Sequence, residues 1–175
     1  GGFSAVRAIN ADQAWAVGSR IGLCAICSAR PYAVQRQQGN WQVILPNQLI
    51  AGWTPDPVAL GFAGLSDVTF LTTDSGIAVG SWFDSTGRRG TLPLIIRYEQ
   101  GSWSAMQLPQ VGGALESISM VDATHALAVG SGGLLLAYGY GPQGGDPPAG
   151  GNPTARVPDP QQPGVQYAPE TGHTI

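Results

Sequence analysis

At 175 residues, 43% of them hydrophobic and 11% charged, the chain can bury a core and is excluded from the disordered class. Its 26 glycines and 14 prolines exclude a helical domain and point to short strands joined by tight turns. A net charge of −3, with arginine as the only strong base, gives no long-range pull toward phosphate or anionic lipid, and no apolar run approaches the roughly 20 residues that cross a bilayer, so no nucleic-acid partner and no membrane insertion are expected.

In chain order, strands are expected at 3–9 and 14–19, joined through Asn10-Ala11-Asp12, and at 32–37 and 40–46, joined through Gln38-Gly39. In these turns Asp tolerates tight geometry and bonds nearby backbone, and Gly supplies a positive φ. The order returns at 66–72, 77–81, 92–99 and 102–108, with Thr72-Thr73-Asp74 and Gln100-Gly101 as the turns. A third round opens at Leu115 and carries a strand at 134–138.

These rounds are copies of one repeat. Aligned on Gly18, Gly80 and Gly130, the residues fifteen positions back are Phe3, Leu65 and Leu115, and those twelve back are Val6, Val68 and Ile118. Nine back stand Ile9, Leu71 and Val121; three back stand Trp15, Ile77 and Leu127. Ala-Val-Gly-Ser is identical in all three, and the first two rounds stay in step through Gly39 and Gly101 to Trp41 and Trp103. Self-similarity at such a period marks an array of supersecondary units.

The pattern predicts an all-β chain: a β-propeller fragment of two four-stranded blades (3–47 and 65–110) plus one incomplete blade (115–140), all within 1–140. Ala16, Gly18 and their counterparts are expected to let crowded inner strands approach, and the tryptophan opening the fourth strand to cover the neighbouring blade. The third round has no Gly-x-Trp fourth strand. That predicts a ring closed by a strand from upstream of Gly1, and hence a stretch of a larger domain. A Gly/Pro-rich linker is expected at 141–164, within a disordered C-terminal tail.

Trp15-Ala16-Val17-Gly18, Leu94-Ile95-Ile96-Arg97-Tyr98, Gly39-Asn40-Trp41 and Gly101-Ser102-Trp103 resemble the kelch-like and photosystem-assembly-factor-like (BNR-type) propeller repeats of bacterial secreted proteins over about residues 3–140. The resemblance implies a fold and leaves activity open, because one propeller hosts many functions. Of the sialidase Asp box only Gly and Trp survive, and no pair of placed carboxylates marks glycosidase chemistry, so no catalytic residues and no enzyme are expected. Residues 165–175, with Pro169-Glu170-Thr171-Gly172-His173-Thr174, resemble the start of a short repeat of bacterial extracellular proteins. An exported protein, extracellular or at the cell surface, is what that implies.

Cys24 and Cys27 are the one spacing with chemical meaning. A local disulfide in an oxidising compartment, two thiols and half a metal site are the readings. A metal would need two further ligands, and the histidines are His125 and His173 alone, so no metal and no cofactor are expected. Asp12, Asp67, Asp74 and Asp122 sit at repeat positions where turn and cap roles suffice. Trp53 on a Pro-rich insertion, and Trp82 and Phe83 with Arg88 and Arg89 nearby, are the candidate ligand-contact residues, against the reading that the aromatics cap a blade edge. The function expected is a noncatalytic binding or scaffolding module of an exported bacterial protein, its partner a protein or a carbohydrate. The alternatives are an accessory part of a secreted cell-wall or glycan hydrolase whose catalytic residues lie outside this chain, and an assembly factor, which the lack of an arginine-rich patch disfavours.

Overall fold

The computed structural model describes residues 1–21, 29–44, 62–84, 90–106, 108, 111–139 and 154–156. The first sheet is β1 (Gly2–Ala8), β2 (Ala14–Ile21), β3 (Ala29–Gln37) and β4 (Asn40–Ile44), hydrogen-bonded in that order. The second is β5 (Ala63–Thr72), β6 (Ser75–Asp84), β7 (Gly90–Glu99) and β8 (Ser102–Ala105), again in order. The third is β9 (Leu115–Met120), β10 (Ala126–Gly130) and β11 (Leu135–Tyr138), with β12 (Thr154–Arg156) at its edge. Every pairing is antiparallel. Each round of the repeat is therefore one sheet.

The register repeats with the sequence. Phe3 pairs with Gly18, Leu65 with Gly80 and Leu115 with Gly130, each beside a bulge that skips Ser4, Ser66 or Glu116. A Cβ on the anchor glycine would overlap the carbonyl oxygen of Gly2, Gly64 or Ala114 in the strand before it. The glycine thus serves the close approach of neighbouring strands inside its own sheet. Alanine serves between sheets, since Ala78 is buried in the layer facing the first sheet.

The turns recur as well. Gln38-Gly39 (φ 49° and 83°) and Gln100-Gly101 (φ 48° and 87°) are two-residue hairpin turns with both central residues left-handed. Between the first two strands of each round the turn is held by the residue eight before the anchor glycine. Asn10 Oδ1 accepts from the amides of Asp12 and Gln13 at 2.9 Å each, Thr72 Oγ1 from Asp74 at 3.2 Å, and Asp122 Oδ1 from Thr124 and His125 at 2.7 and 2.8 Å. Asp12 and Asp74 serve there as backbone donors, because such turns run from a side chain to the amides two and three residues on.

The sheets stack face to face in chain order, and the two-residue period of β7 shows how. Ile96 and Tyr98 lie in one apolar layer with Trp15, Val17 and Ala33 of the first sheet, while Ile95 lies in another with Leu115, Leu134 and Leu136 of the third. In the first layer Trp15 meets Phe70, Tyr98 and Trp103 with ring centroids 5.8, 5.2 and 5.3 Å away. Trp103 covers the neighbouring sheet, as its place in the repeat predicts.

Polar groups stitch the layers at equivalent places. Gln35 bonds the Tyr98 hydroxyl, and at the same repeat position Arg97 donates to the Tyr138 hydroxyl at 2.8 Å while pairing with Glu99 at 2.7 Å. Burial first, and the Asp74 charge second, hold the Tyr98 phenol above its ordinary pKa, against the Gln35 bond. Asp67 holds no turn: its Oδ2 accepts from Ser117 Oγ at 2.8 Å and the Ile118 amide at 3.0 Å, tying the second sheet to the third.

The third sheet differs from expectation at its edge. No Gly-x-Trp strand is present, yet β12 pairs with β11 through Leu135–Arg156, Leu136–Ala155 and Ala137–Thr154. These three residues come from the stretch expected to be linker. A tripeptide free of Gly and Pro can dock on an open strand edge through backbone bonds alone, which leaves no alternation to read. The rest of 141–175 lies outside the described residues, as does the expectation of disorder there.

Candidate functional site

The three rounds agree through Ser19, Ser81 and Ser131 and then part company. Arg20-Ile21 follow in the first, Trp82-Phe83 in the second and Gly132-Gly133 in the third. This divergence falls at one end of the stack, where the second strand of each sheet leaves for the third strand. β2 and β6 end there in the first two sheets, residues 22–28 and 85–89 lying outside the described residues, and the 3-10 turn Ser131–Gly133 joins β10 to β11 in the third.

At that end Trp82 and Phe83 stand near the end of β6, opposite Leu92 and Thr91 of β7. Trp82 also faces Ala63, and the Phe83 amide donates to the Phe62 carbonyl at 2.7 Å. Phe62 and Phe83 therefore stand side by side on adjacent strands, about 5 Å apart at the backbone, while Trp82 projects to the opposite face of the sheet. All three rings are exposed. Phe62 was missed in the sequence because it precedes the repeat; only its place across the ladder from Phe83 gives it a role. In the first sheet the Arg20 guanidinium lies 5.8 Å from the Tyr32 ring centre, the Tyr32 and Phe3 rings meet in a tilted pair with centres 5.3 Å apart, and Ile21 is exposed. The arrangement offers flat apolar faces beside a cation, suited to stacking on a sugar ring or an apolar side chain. Cys24, Cys27, Trp53, Arg88 and Arg89 lie outside the described residues, and nothing here joins them to this surface.

At the opposite end a different cluster resembles a catalytic set. His125 Nδ1 lies 2.9 Å from both Asp122 carboxylate oxygens and 3.1 Å from Thr124 Oγ1. A relay needs the acid on one ring nitrogen and the nucleophile on the other, whereas Asp122 and Thr124 crowd the same nitrogen. The hydroxyl and backbone of Thr124, followed by the His125 side chain, hold the Asp122 carboxyl far below the usual carboxylate range. This cluster is the clip of a surface turn.

Among the described residues no three of His, Cys, Asp or Glu gather to hold a metal ion. Between the second and third sheets a void of about 10 Å³ is lined by Ile77, Ile95, Met106, Ile118, Leu136 and other apolar groups, with room for about one water molecule and no polar partner to hold it. It is a packing gap.

No family model, curated protein or solved structure matches this chain. Its function is read from its own surface.

Proposed function

We propose that the chain is a run of β-propeller blades from an exported bacterial protein, and that its loop end is a noncatalytic binding surface for carbohydrate or protein. The propeller reading is supported by antiparallel sheets of consecutive strands, packed face to face in chain order by a repeat that keeps its register. The binding reading is carried by one observation: three exposed aromatics stand where the rounds cease to agree and where the repeat asks for none. Solvent-facing aromatics on the two faces of a sheet end contribute contact area with little ordering cost. The export reading rests on the resemblance of residues 165–175 to repeats of bacterial extracellular proteins.

Binding is tested on a glycan array and by capture of purified cell-envelope proteins, comparing the native chain with Trp82→Ala and Phe83→Ala. The expected result is retention of one ligand class by the native chain and a loss of at least about tenfold in either variant, the effect of removing a central aromatic anchor. Melting temperatures should stay within about 2 °C of the native value, since exposed substitutions change stability by under about 0.5 kcal/mol. A native chain retained on nothing, or variants that bind undiminished, would contradict the reading.

A further inference from the structure

Gly39 and Gly101 stand 21 residues after the anchor glycines Gly18 and Gly80, and Gly151 stands 21 residues after Gly130. In the first round Gly39-Asn40 opens the fourth strand and Leu45-Pro46 follows it; Gly151-Asn152 and Val157-Pro158 keep the same spacing. The ladder agrees independently. Val34, Ile96 and Leu136 face Ala16, Ala78 and Ala128 on one side, and on the other they pair with Val43, Ala105 and Ala155. Each of those last three lies four residues after Gly39, Gly101 or Gly151. Only the loops between have exchanged length. Leu136 follows Ala128 by eight residues where Ile96 follows Ala78 by eighteen, and Ala155 follows Leu136 by nineteen where Ala105 follows Ile96 by nine.

One position differs in kind. Twenty-three residues after the anchor glycine stand Trp41 and Trp103, and in the third round Pro153. Trp103 fills the first layer beside Trp15 and Tyr98. The corresponding place in the second layer holds the void of about 10 Å³. Ile77, Met106, Ile118 and Tyr138, which line it, stand at the repeat positions of Trp15, Ile44, Val68 and Tyr98, which share the first layer with Trp103. Ile95, also on its wall, stands where the first sheet has Ala33, so a larger side chain takes up part of an indole's volume.

We propose that residues 151–158 are the third round's own fourth strand, a strap held by its backbone ladder with Pro153 at the tryptophan position, and that the void is what remains of the tryptophan's seat. Thr154–Arg156 are the described part of this strand, and the rest is assigned by spacing. Proline suits the start of an edge strand, where no ladder bond needs its nitrogen. The outer edge of the third sheet is then filled by its own round, and not by a strand from elsewhere. Without an indole to anchor it, the strap opens ahead of β8. The proposal rests on the repeat and the ladder, and on neither ring closure nor ligand binding.

Three variants of the full chain test it. Ile95→Ala should lower the melting temperature by roughly 4–20 °C, as truncation of a buried isoleucine does in a chain of this size. Pro153→Trp alone should gain nothing, because a void of about 10 Å³ does not admit an indole. Together the two changes recreate the Ala33 and Trp103 pairing of the first layer, so the double variant should melt several degrees above Ile95→Ala. Trypsin cleavage after Arg156, which follows opening of the strap, should slow severalfold in the double variant relative to Ile95→Ala, and more than at the other arginines. In the native chain, backbone nuclear Overhauser effects should join Leu136 to Ala155, a readout that stands even where a variant fails to fold. Pro153→Trp shifting the melting temperature equally in the native and Ile95→Ala backgrounds overturns the proposal. So does unchanged cleavage after Arg156 in the double variant, or a native chain in which Leu136 and Ala155 show no contact. None of these readouts involves Trp82 or Phe83, so failure of the binding reading is seen separately.

Discussion

Trp15→Ala is expected to lower the unfolding free energy by about 3–5 kcal/mol, the usual cost of emptying a buried aromatic site. The indole is the main link between the first two sheets: it belongs to β2 and is enclosed by Phe70, Tyr98 and Trp103 of the second sheet. Tyr98 and Trp103 also touch each other at 5.1 Å, so the cavity is walled by rings already packed together and has little room to collapse. Edge-on pairs of this kind contribute about 0.5–1.5 kcal/mol beyond burial. A coupling of that size should therefore appear in a double-mutant cycle of Trp15→Leu with Tyr98→Leu. Against a typical total of about 5–15 kcal/mol the loss is large, and at about 2–4 °C per kcal/mol the melting temperature should fall by roughly 6–20 °C. Urea melts give the free energy directly. A loss under about 1 kcal/mol, typical of surface sites, would mean that the sheets do not close on this residue.

Gly80→Ala should cost about 3 kcal/mol or more, at the upper end of overpacking effects, because the atom its methyl would strike is backbone and cannot rotate away. The methyl would overlap the Gly64 carbonyl oxygen and crowd the Leu65 Cα at 2.8 Å. Either the β5–β6 ladder opens at the bulge or the strand shifts, and both disturb Leu65 and Val79 on the two faces of the core. Gly18→Ala and Gly130→Ala should behave alike, since Gly2 and Ala114 present the same carbonyl there. The control is Gly112→Ala: its methyl would meet only the Thr91 carbonyl at 3.8 Å, so stability should change by less than about 1 kcal/mol, upward if at all, through the unfolded chain. Equal losses at Gly80 and Gly112 in urea melts would contradict the close-approach account.

Much of this fold could be read from the repeat. The Ala-Val-Gly-Ser runs located β2, β6 and β10, and the matching apolar positions located their partners, because a residue alternating between two buried faces leaves a trace in the sequence. Strand ends were harder: β5 starts at Ala63 and β6 runs to Asp84, beyond the expected 66 and 81, since a ladder continues on backbone bonds after the apolar pattern stops. Asp122 was legible as a turn residue, whereas its counterparts Asn10 and Thr72 were not, because three different side chains do one job at that position. Asp67 was taken for a turn residue because its acceptors' donors, Ser117 and the Ile118 amide, stand a whole round away. At the loop end Trp82 and Phe83 could be picked out as aromatics the repeat does not need, while Phe62 needed the ladder to bring it beside them.

The three rounds fold as sheets stacked face to face, and proton–proton nuclear Overhauser effects between the sheets check that stacking. Contacts are predicted from the Trp15 ring to those of Tyr98 and Trp103, whose centres lie 5.2 and 5.3 Å away, and from the Ile77 and Val79 methyls to those of Leu115 and Leu136. Cross-peaks confined to residues of one sheet, with none joining Trp15 to the second sheet or Val79 to the third, would contradict it.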